Sequence, residues 1–289
     1  MNIAVVGSGG YIAGYLIKRF EKEPLIKSVL MIGKRKESDI IFDLEYPEKF
    51  NYRKLKEIDY IIFTAAISAP DKCASDFDFC WKINVIGTSY FIHRALDYGC
   101  RVIFFSSDAV YGKDIGKCFD EFSETCAYTP YGQMKKAVED EFKDNTCFKS
   151  IRLSYIVSAT DRFTSYCMNC INEQMIAEIF HPFYRNCVTI KQVADAVCWL
   201  IFNFDQFNSP VLNIAGRELV SRVRIADEIN RLFEGKLAYK ITVPDDNFFK
   251  NRPKITQMKS SFLQKYKIID DCSFTEALKN ELGEVTYGY

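Results

Sequence analysis

An apolar run, Asn2 to Val6, meets Gly7, and after Gly9 and Gly10 the apolar residues recur at helical spacing through Phe20. This opening, NIAVVGSGGYIAGYLIKRF, predicts a strand, a glycine-rich turn and a helix in immediate succession. A helix that follows a strand carries the chain back, so the next strand lies parallel to the first. The spacing is G-x-x-G-x-x-A: Gly7 for the tight turn, Gly10 for close approach to a pyrophosphate, and Ala13 for close helix–strand packing. Such a turn, placed between a first strand and a first helix, predicts a dinucleotide phosphate site at the helix N-terminus.

The alternation continues. SVLMIG, DIIFDL and DYIIFTAA predict strands, FCWKINVIGTSYFIHRALDYG a long helix over 78–99, and CRVIFFSS a strand. PYGQMKKAVEDEFKD over 130–144 predicts a helix and FKSIRLSYI a strand. Later segments are less regular, with helical patterns in VTIKQVADAVCWLIFNF and SRVRIADEINRLFEG. Buried strands between amphipathic helices predict an α/β protein: a Rossmann-type doubly wound parallel sheet with a small C-terminal substrate-binding lobe. The expected division is 1–160 for the nucleotide-binding domain, with returning elements at about 186–216, and 161–185 plus 217–289 for the lobe.

Composition narrows the partners. The chain has 289 residues, 48% hydrophobic and 26% charged, enough to bury a sizeable core. Lys plus Arg and Asp plus Glu are both 38, so no charge excess points to nucleic acid or a membrane surface. Met1-Asn2 leads straight into the first strand without a signal-like segment, and the expected compartment is the cytoplasm. Eleven cysteines are scattered among apolar runs and are expected as small buried hydrophobes. Cys167 and Cys170 have C-x-x-C spacing, but no second pair follows and the histidines are only His93 and His181, so no metal is expected.

The end of the second strand indicates which dinucleotide. An acid there favours the free ribose hydroxyl of NAD. This chain has Gly33 followed by Lys34, Arg35 and Lys36, a run that suits the 2′-phosphate of NADP, with NAD possible.

Tyr131 and Lys135 stand four apart on one helix face, just after Pro130. A phenol titrates near pH 10 when free, and a neighbouring ammonium is expected to lower it, so that it trades a proton with a carbonyl. Ser107, at the tip of the preceding strand, is placed to hydrogen-bond the same carbonyl. Together with the glycine turn, these residues form one constellation.

At this point the sequence resembles the extended short-chain dehydrogenase/reductases over nearly its whole length. GSGGYIA resembles their glycine turn, which implies cofactor contacts from Gly7, Gly9, Gly10, Tyr11 and Ile12. Asp43-Leu44 matches their adenine contact, Ala65-Ala66 the strand end beside the cofactor, and Asn84 in KINVIGT their helix asparagine. FFSSDAVYG and PYGQMKKAVE match the catalytic segments. They imply Ser106, Tyr131 and Lys135 beside the cofactor, Ser107, Tyr131 and Lys135 in catalysis, and Ser107 and Asp108 beside the substrate.

Within that branch the chain most resembles reductases of nucleotide-linked 4-keto-6-deoxy sugars, of the dTDP-4-dehydrorhamnose reductase type. Asp108 after the catalytic hydroxyl and the tail NRPKITQMKSSFL carry this likeness. The related 4,6-dehydratases show Thr-Asp-Glu where this chain reads Ser107, Asp108, Ala109, so the elimination lacks its glutamate. Fucose-synthase-like enzymes carry a cysteine in the place of Asp108. The resemblance implies NADPH, a nucleotide-sugar substrate and a homodimer by analogy. Met134 departs from the usual small residue before the lysine. The stretch 160–187 is poorly matched; in it Arg185 is a candidate diphosphate partner by charge, against a surface arginine, and His181 is more simply a structural histidine. Two alternatives stand beside the reductase. One is an NAD-dependent nucleotide-sugar 4-epimerase with the same Ser, Tyr and Lys. The other is a non-catalytic regulatory subunit that keeps the nucleotide fold.

Overall fold

A computed structural model describes residues 1–113 and 116–286 of the chain. They form two compact units. The first comprises Met1–Gly112, Glu124–Arg152 and Val197–Leu212; the second comprises the described residues within Lys113–Ser123, Leu153–Ala196 and Asn213–Tyr289.

The first unit is built on a seven-stranded sheet. Its strands β1 (Asn2–Val6), β2 (Ser28–Gly33), β3 (Ile40–Ile41), β4 (Tyr60–Phe63) and β5 (Arg101–Ser107) run in the order β5-β4-β1-β2-β3. Strands Phe148–Leu153 and Val211–Ile214 continue the sheet beyond β5. The pairings β1 with β2, β1 with β4, β2 with β3 and β4 with β5 are all parallel. Every residue of β4, YIIF, is buried, as expected for a strand covered on both faces.

Helices α1 (Tyr11–Phe20), α2 (Pro70–Ser75), α3 (Phe77–Trp81), α4 (Thr88–Asp97) and α5 (Pro130–Phe142) belong to the same unit. Phe91 of α4 sits within 5.3–5.7 Å of the rings of Phe42, Phe50, Tyr52 and Phe63. Each such ring contributes about 1.5–3 kcal/mol by leaving water. The helix expected over 78–99 is interrupted: Lys82–Gly87 forms a π-helical turn between α3 and α4. A Cβ on Gly87 would run into the Leu44 carbonyl, so glycine lets the chain after β3 press against this turn. The strand order reverses between β1 and β4, and the crevice outside the strand ends at such a point is where this architecture takes ligands. The turn after β1, the segment after β4 and the tip of β5 all lie at those ends.

The second unit has its own core and sheet. Tyr184–Arg185 pairs antiparallel with Val220–Ser221 and parallel with Ile255–Met258, which pairs in turn with Cys118–Phe119. Helices Arg162–Asn172 and Arg222–Leu232 bury Phe163, Cys167, Cys170, Ile225 and Ile229 together. The Glu121 carboxylate accepts from Asn213 N, Ser260 Oγ and Ser261 N, which fastens the 213 and 260 segments to it.

Candidate active site

Gly7 has φ +90°, and a Cβ there would lie 2.7 Å from Ala65 N. Only glycine permits the turn to lean on the segment after β4. The turn is held to β2 by Gly7 N and Ser8 N, both donating to Ile32 O. The N-cap of α1 is Gly10, which has no side chain to cap the helix, and the first turn holds no acid. Its amide end therefore suits a diphosphate in both charge and geometry. Ala13 is fully buried beneath it, whereas Tyr11 is exposed and Ile12 half-buried.

The cations predicted to meet the ribose phosphate are divided by the structure. Arg35 lies over the glycine turn, where a Cβ on Gly9 would come within 2.5 Å of Arg35 Cδ. Lys34 Nζ pairs instead with Asp43 Oδ1 at 2.8 Å, so two residues predicted separately as cofactor contacts engage each other. Burial pushes the Asp43 carboxyl up, but the Lys34 and Glu45 hydrogen bonds and the Lys34 and Lys82 charges outweigh it, and the net direction is down. Gly33 has a reason that the sequence does not display. A Cβ there would meet Ser8 Oγ at 2.9 Å and Ser38 Oγ at 3.1 Å, and these hydroxyls bond each other at 2.8 Å. An acid at position 33 would have to displace that pair.

Asn84 is 2% exposed and spends its amide on protein. Its Oδ1 accepts from Ile67 N at 2.8 Å, and its Nδ2 donates to Ile67 O at 2.9 Å and to Met134 Sδ at 3.4 Å. Cys73 Sγ donates to the same Ile67 carbonyl at 3.2 Å. Asn84 thus fixes the segment that follows Ala65 and Ala66 and ties it to α5. Leu44 is buried, and its carbonyl is the one pressed toward Gly87.

The segments predicted to be catalytic converge through glycine again. Ser107 closes β5, and its Oγ donates to Asp108 Oδ1 at 3.0 Å while accepting from Ala109 N at 3.2 Å. Thr129 Oγ1 caps α5 by accepting from Gly132 N, with Pro130 opening the helix. A Cβ on Gly132 would collide with the Ala109 carbonyl, so this glycine lets the turn after Ser107 reach the helix carrying Tyr131 and Lys135. The role of Gly132 is not legible from spacing alone; the signal was its place directly after Tyr131. Ser106 Oγ is buried without a hydrogen-bond partner among the described residues.

Lys135 is 3% exposed. Its Nζ donates to Phe105 O at 2.6 Å and sits 4.4 Å from the Phe104 ring centre and 5.8 Å from that of Tyr131. Burial pushes its pKa down to about 7, against the opposing pull of Glu139 and Cys73. The expected lowering of Tyr131 is corrected here. Burial, followed by Cys73 and Asp108, holds the Tyr131 hydroxyl above its ordinary value. The lysine that was to lower it is desolvated itself and directed at a carbonyl.

In the second unit, Arg185 is not a surface arginine. It is buried, stacks on Phe183 at 4.5 Å, and donates to Tyr184 O at 2.6 Å and Pro253 O at 2.8 Å. His181 Nδ1 is buried without a hydrogen-bond partner among the described residues, and its ring lies 5.6 Å from that of Tyr184. A cavity of about 260 Å³ within this unit, lined by Gln192, Arg217, Lys259, Asp271 and Cys272 among others, includes none of the predicted site residues. Among the described residues no helix is long and apolar enough to cross a membrane.

The model of one family, described as the RmlD substrate binding domain, matches residues 1–287. No curated protein matches. Among solved structures, the chain is similar to a dTDP-4-dehydrorhamnose reductase from Clostridium acetobutylicum, with 21% identity, 99% of each chain covered and a TM-score of 0.82. A Bacillus anthracis dTDP-4-dehydrorhamnose reductase in complex with NADP shares 18% identity over 98% of this chain and 99% of its own, with a TM-score of 0.82. A Thermotoga maritima UDP-glucose 4-epimerase with UDP-glucose shares 15% over 100% of this chain and 99% of its own, at 0.79.

Proposed function

We propose, from the premise that this chain belongs to the RmlD substrate binding domain family, that it is an NADPH-dependent reductase of a nucleotide-linked 4-keto-6-deoxy sugar. The observation that carries the reading is the approach of the Ser107 turn to the Tyr131–Lys135 face of α5 across Gly132.

NADPH, when bound, supplies the hydride that adds to the carbonyl carbon. The chain's residues do the rest. Tyr131 gives its phenolic proton to the carbonyl oxygen, which becomes the new hydroxyl. Its raised pKa keeps it in the protonated, donating form near neutral pH. Ser107 turns its hydroxyl from Asp108 to the same oxygen and orients it. Lys135, when cationic, stabilises the phenolate left by the transfer, and water returns the proton to Tyr131. The glycine turn and the open end of α1 suit the diphosphate, and Arg35 suits the 2′-phosphate. The NADP complex of the Bacillus anthracis reductase supports this choice; NAD is the second candidate. Asp108 is proposed on the substrate side through its bond with Ser107.

The test is cofactor oxidation. Purified protein is mixed with NADPH or NADH and a panel of dTDP-, GDP-, CDP- and UDP-linked 4-keto-6-deoxy sugars. Loss of NADPH absorbance with one sugar is the expected result. No oxidation together with co-purified NAD would replace the reading by the 4-epimerase, and no oxidation without bound NAD by a binding-only subunit.

A further inference from the structure

Behind the catalytic pair lies a chain of buried polar groups with no place in the chemistry above. Glu139 stands one helical turn after Lys135 on α5 and is 5% exposed. Arg152, on strand Phe148–Leu153, is 6% exposed. Arg152 Nε donates to both Glu139 oxygens at 3.0 and 3.1 Å, and its Nη2 donates to Oε2 at 2.6 Å. Its remaining arm, Nη1, donates to Tyr111 Oη at 2.9 Å, and the guanidinium lies 4.9 Å from the Tyr111 ring centre. Tyr111 is 1% exposed and closes the turn that begins at Ser107, with its N–H donating to Asp108 O.

A buried ion pair is a poor way to gain stability, because desolvating both charges offsets most of their attraction. An apolar pair of equal volume would serve the fold as well. What this pair has that an apolar one lacks is direction: a bidentate fork on one side and a single aimed donor on the other. The fork ends on the helix that carries Tyr131 and Lys135. The aimed donor ends on the tip that carries Ser107 and Asp108.

We propose that Glu139, Arg152 and Tyr111 form a positioning device that fixes the Ser107–Asp108 tip against the Tyr131–Lys135 helix and sets the charge behind Lys135. The inference rests on the reductase reading for its purpose, but not for its test. The groups facing Lys135 are Tyr131 and Glu139 from α5, Cys73 from α2, and the Phe104 ring and Phe105 carbonyl from β5. Glu139 is the carboxylate among them, and its pull favours the ammonium.

Two experiments decide it without turnover. The first measures the urea midpoint against pH. The folded chain holds the Lys135 proton less tightly than the unfolded chain, so between about 7 and 10.5 the unfolded state binds more protons. The Lys135 contribution to stability is therefore lowest below about pH 7 and rises through that window. It is isolated as the difference from Lys135→Met. In Glu139→Gln the onset of the rise should move down by about one pH unit, since a charge one turn away is lost. An onset at the wild-type pH would overturn the charge role, because a merely structural loss lowers the midpoint equally at every pH.

The second experiment uses Tyr111→Phe, which removes one hydroxyl and is expected to fold even where Glu139→Gln does not. Amide hydrogen exchange over residues 107–112 should quicken about tenfold, as a net hydrogen bond of about 1.5 kcal/mol to a charged group is lost. Unchanged exchange there would overturn the positioning role. If the wild type proves inert toward every keto sugar, the reductase reading fails while both results still stand or fall on their own.

Discussion

Two cation–carboxylate arrangements in the first unit can be set side by side. Lys34 and Asp43 meet at 2.8 Å with side chains 59% and 38% exposed. Arg152 and Glu139 meet at 2.6 Å with side chains 8% and 6% exposed. The distances are nearly equal and the physics is not. At the surface, water screens the pair and already solvates each partner, so losing one costs little. In the interior no water replaces a missing partner, and a lone charge is left in a medium that penalises it. The edge proposed to face the cofactor is thus built from charges that can let go of one another, and the helix proposed to carry the proton donor is backed by charges that cannot.

The comparison can be broken at several points. Tyr131→Phe, on the helix backed by the interior pair, removes only the transferable proton. It should cut kcat by about 10²–10⁴-fold while NADPH affinity, read by fluorescence titration, is unchanged. Near-normal turnover in that variant would remove Tyr131 as the acid. Glu139→Ala should lower unfolding stability by about 3–5 kcal/mol in denaturant titration, since Arg152 keeps its charge without its partner. A loss below about 1 kcal/mol would make the interior pair equivalent to the surface one. Arg35→Ala should raise the KM for NADPH about tenfold and leave that for NADH nearly unchanged, a charge-assisted contact to phosphate being about 1.5–3 kcal/mol. Equal changes for both cofactors would mean that Arg35 does not read the phosphate. Lys34→Ala should move stability by no more than about 1 kcal/mol, and that small effect should shrink further in high salt.

Much of this unit was legible in the chain. The βα opening, the later strands and the apposition of Tyr131 and Lys135 follow from periodicities of two and 3.6 and from spacings within one helix. The long helix over 78–99 was legible only in outline. Its π turn arises where Asn84 is drawn to the Ile67 main chain and Gly87 makes room for Leu44, and neither partner is near in sequence. Lys34 and Arg35 read as equivalent cations in a basic run. Only the fold sent one to Asp43 and the other over Gly9. Arg185 read as a free charge, yet its guanidinium is taken up by carbonyls of residues 184 and 253.

By itself, then, the sequence determined the order of strands and helices, the glycine turn and which groups are candidates to exchange a proton. Those are matters of local backbone preference and of which side chains exist. The tertiary structure alone decided which charges lie in water and which do not, and from that the direction in which Tyr131 and Lys135 titrate. Desolvation depends on everything that surrounds a group, and residues 73, 105, 108 and 139 come to surround this pair only when the sheet is assembled.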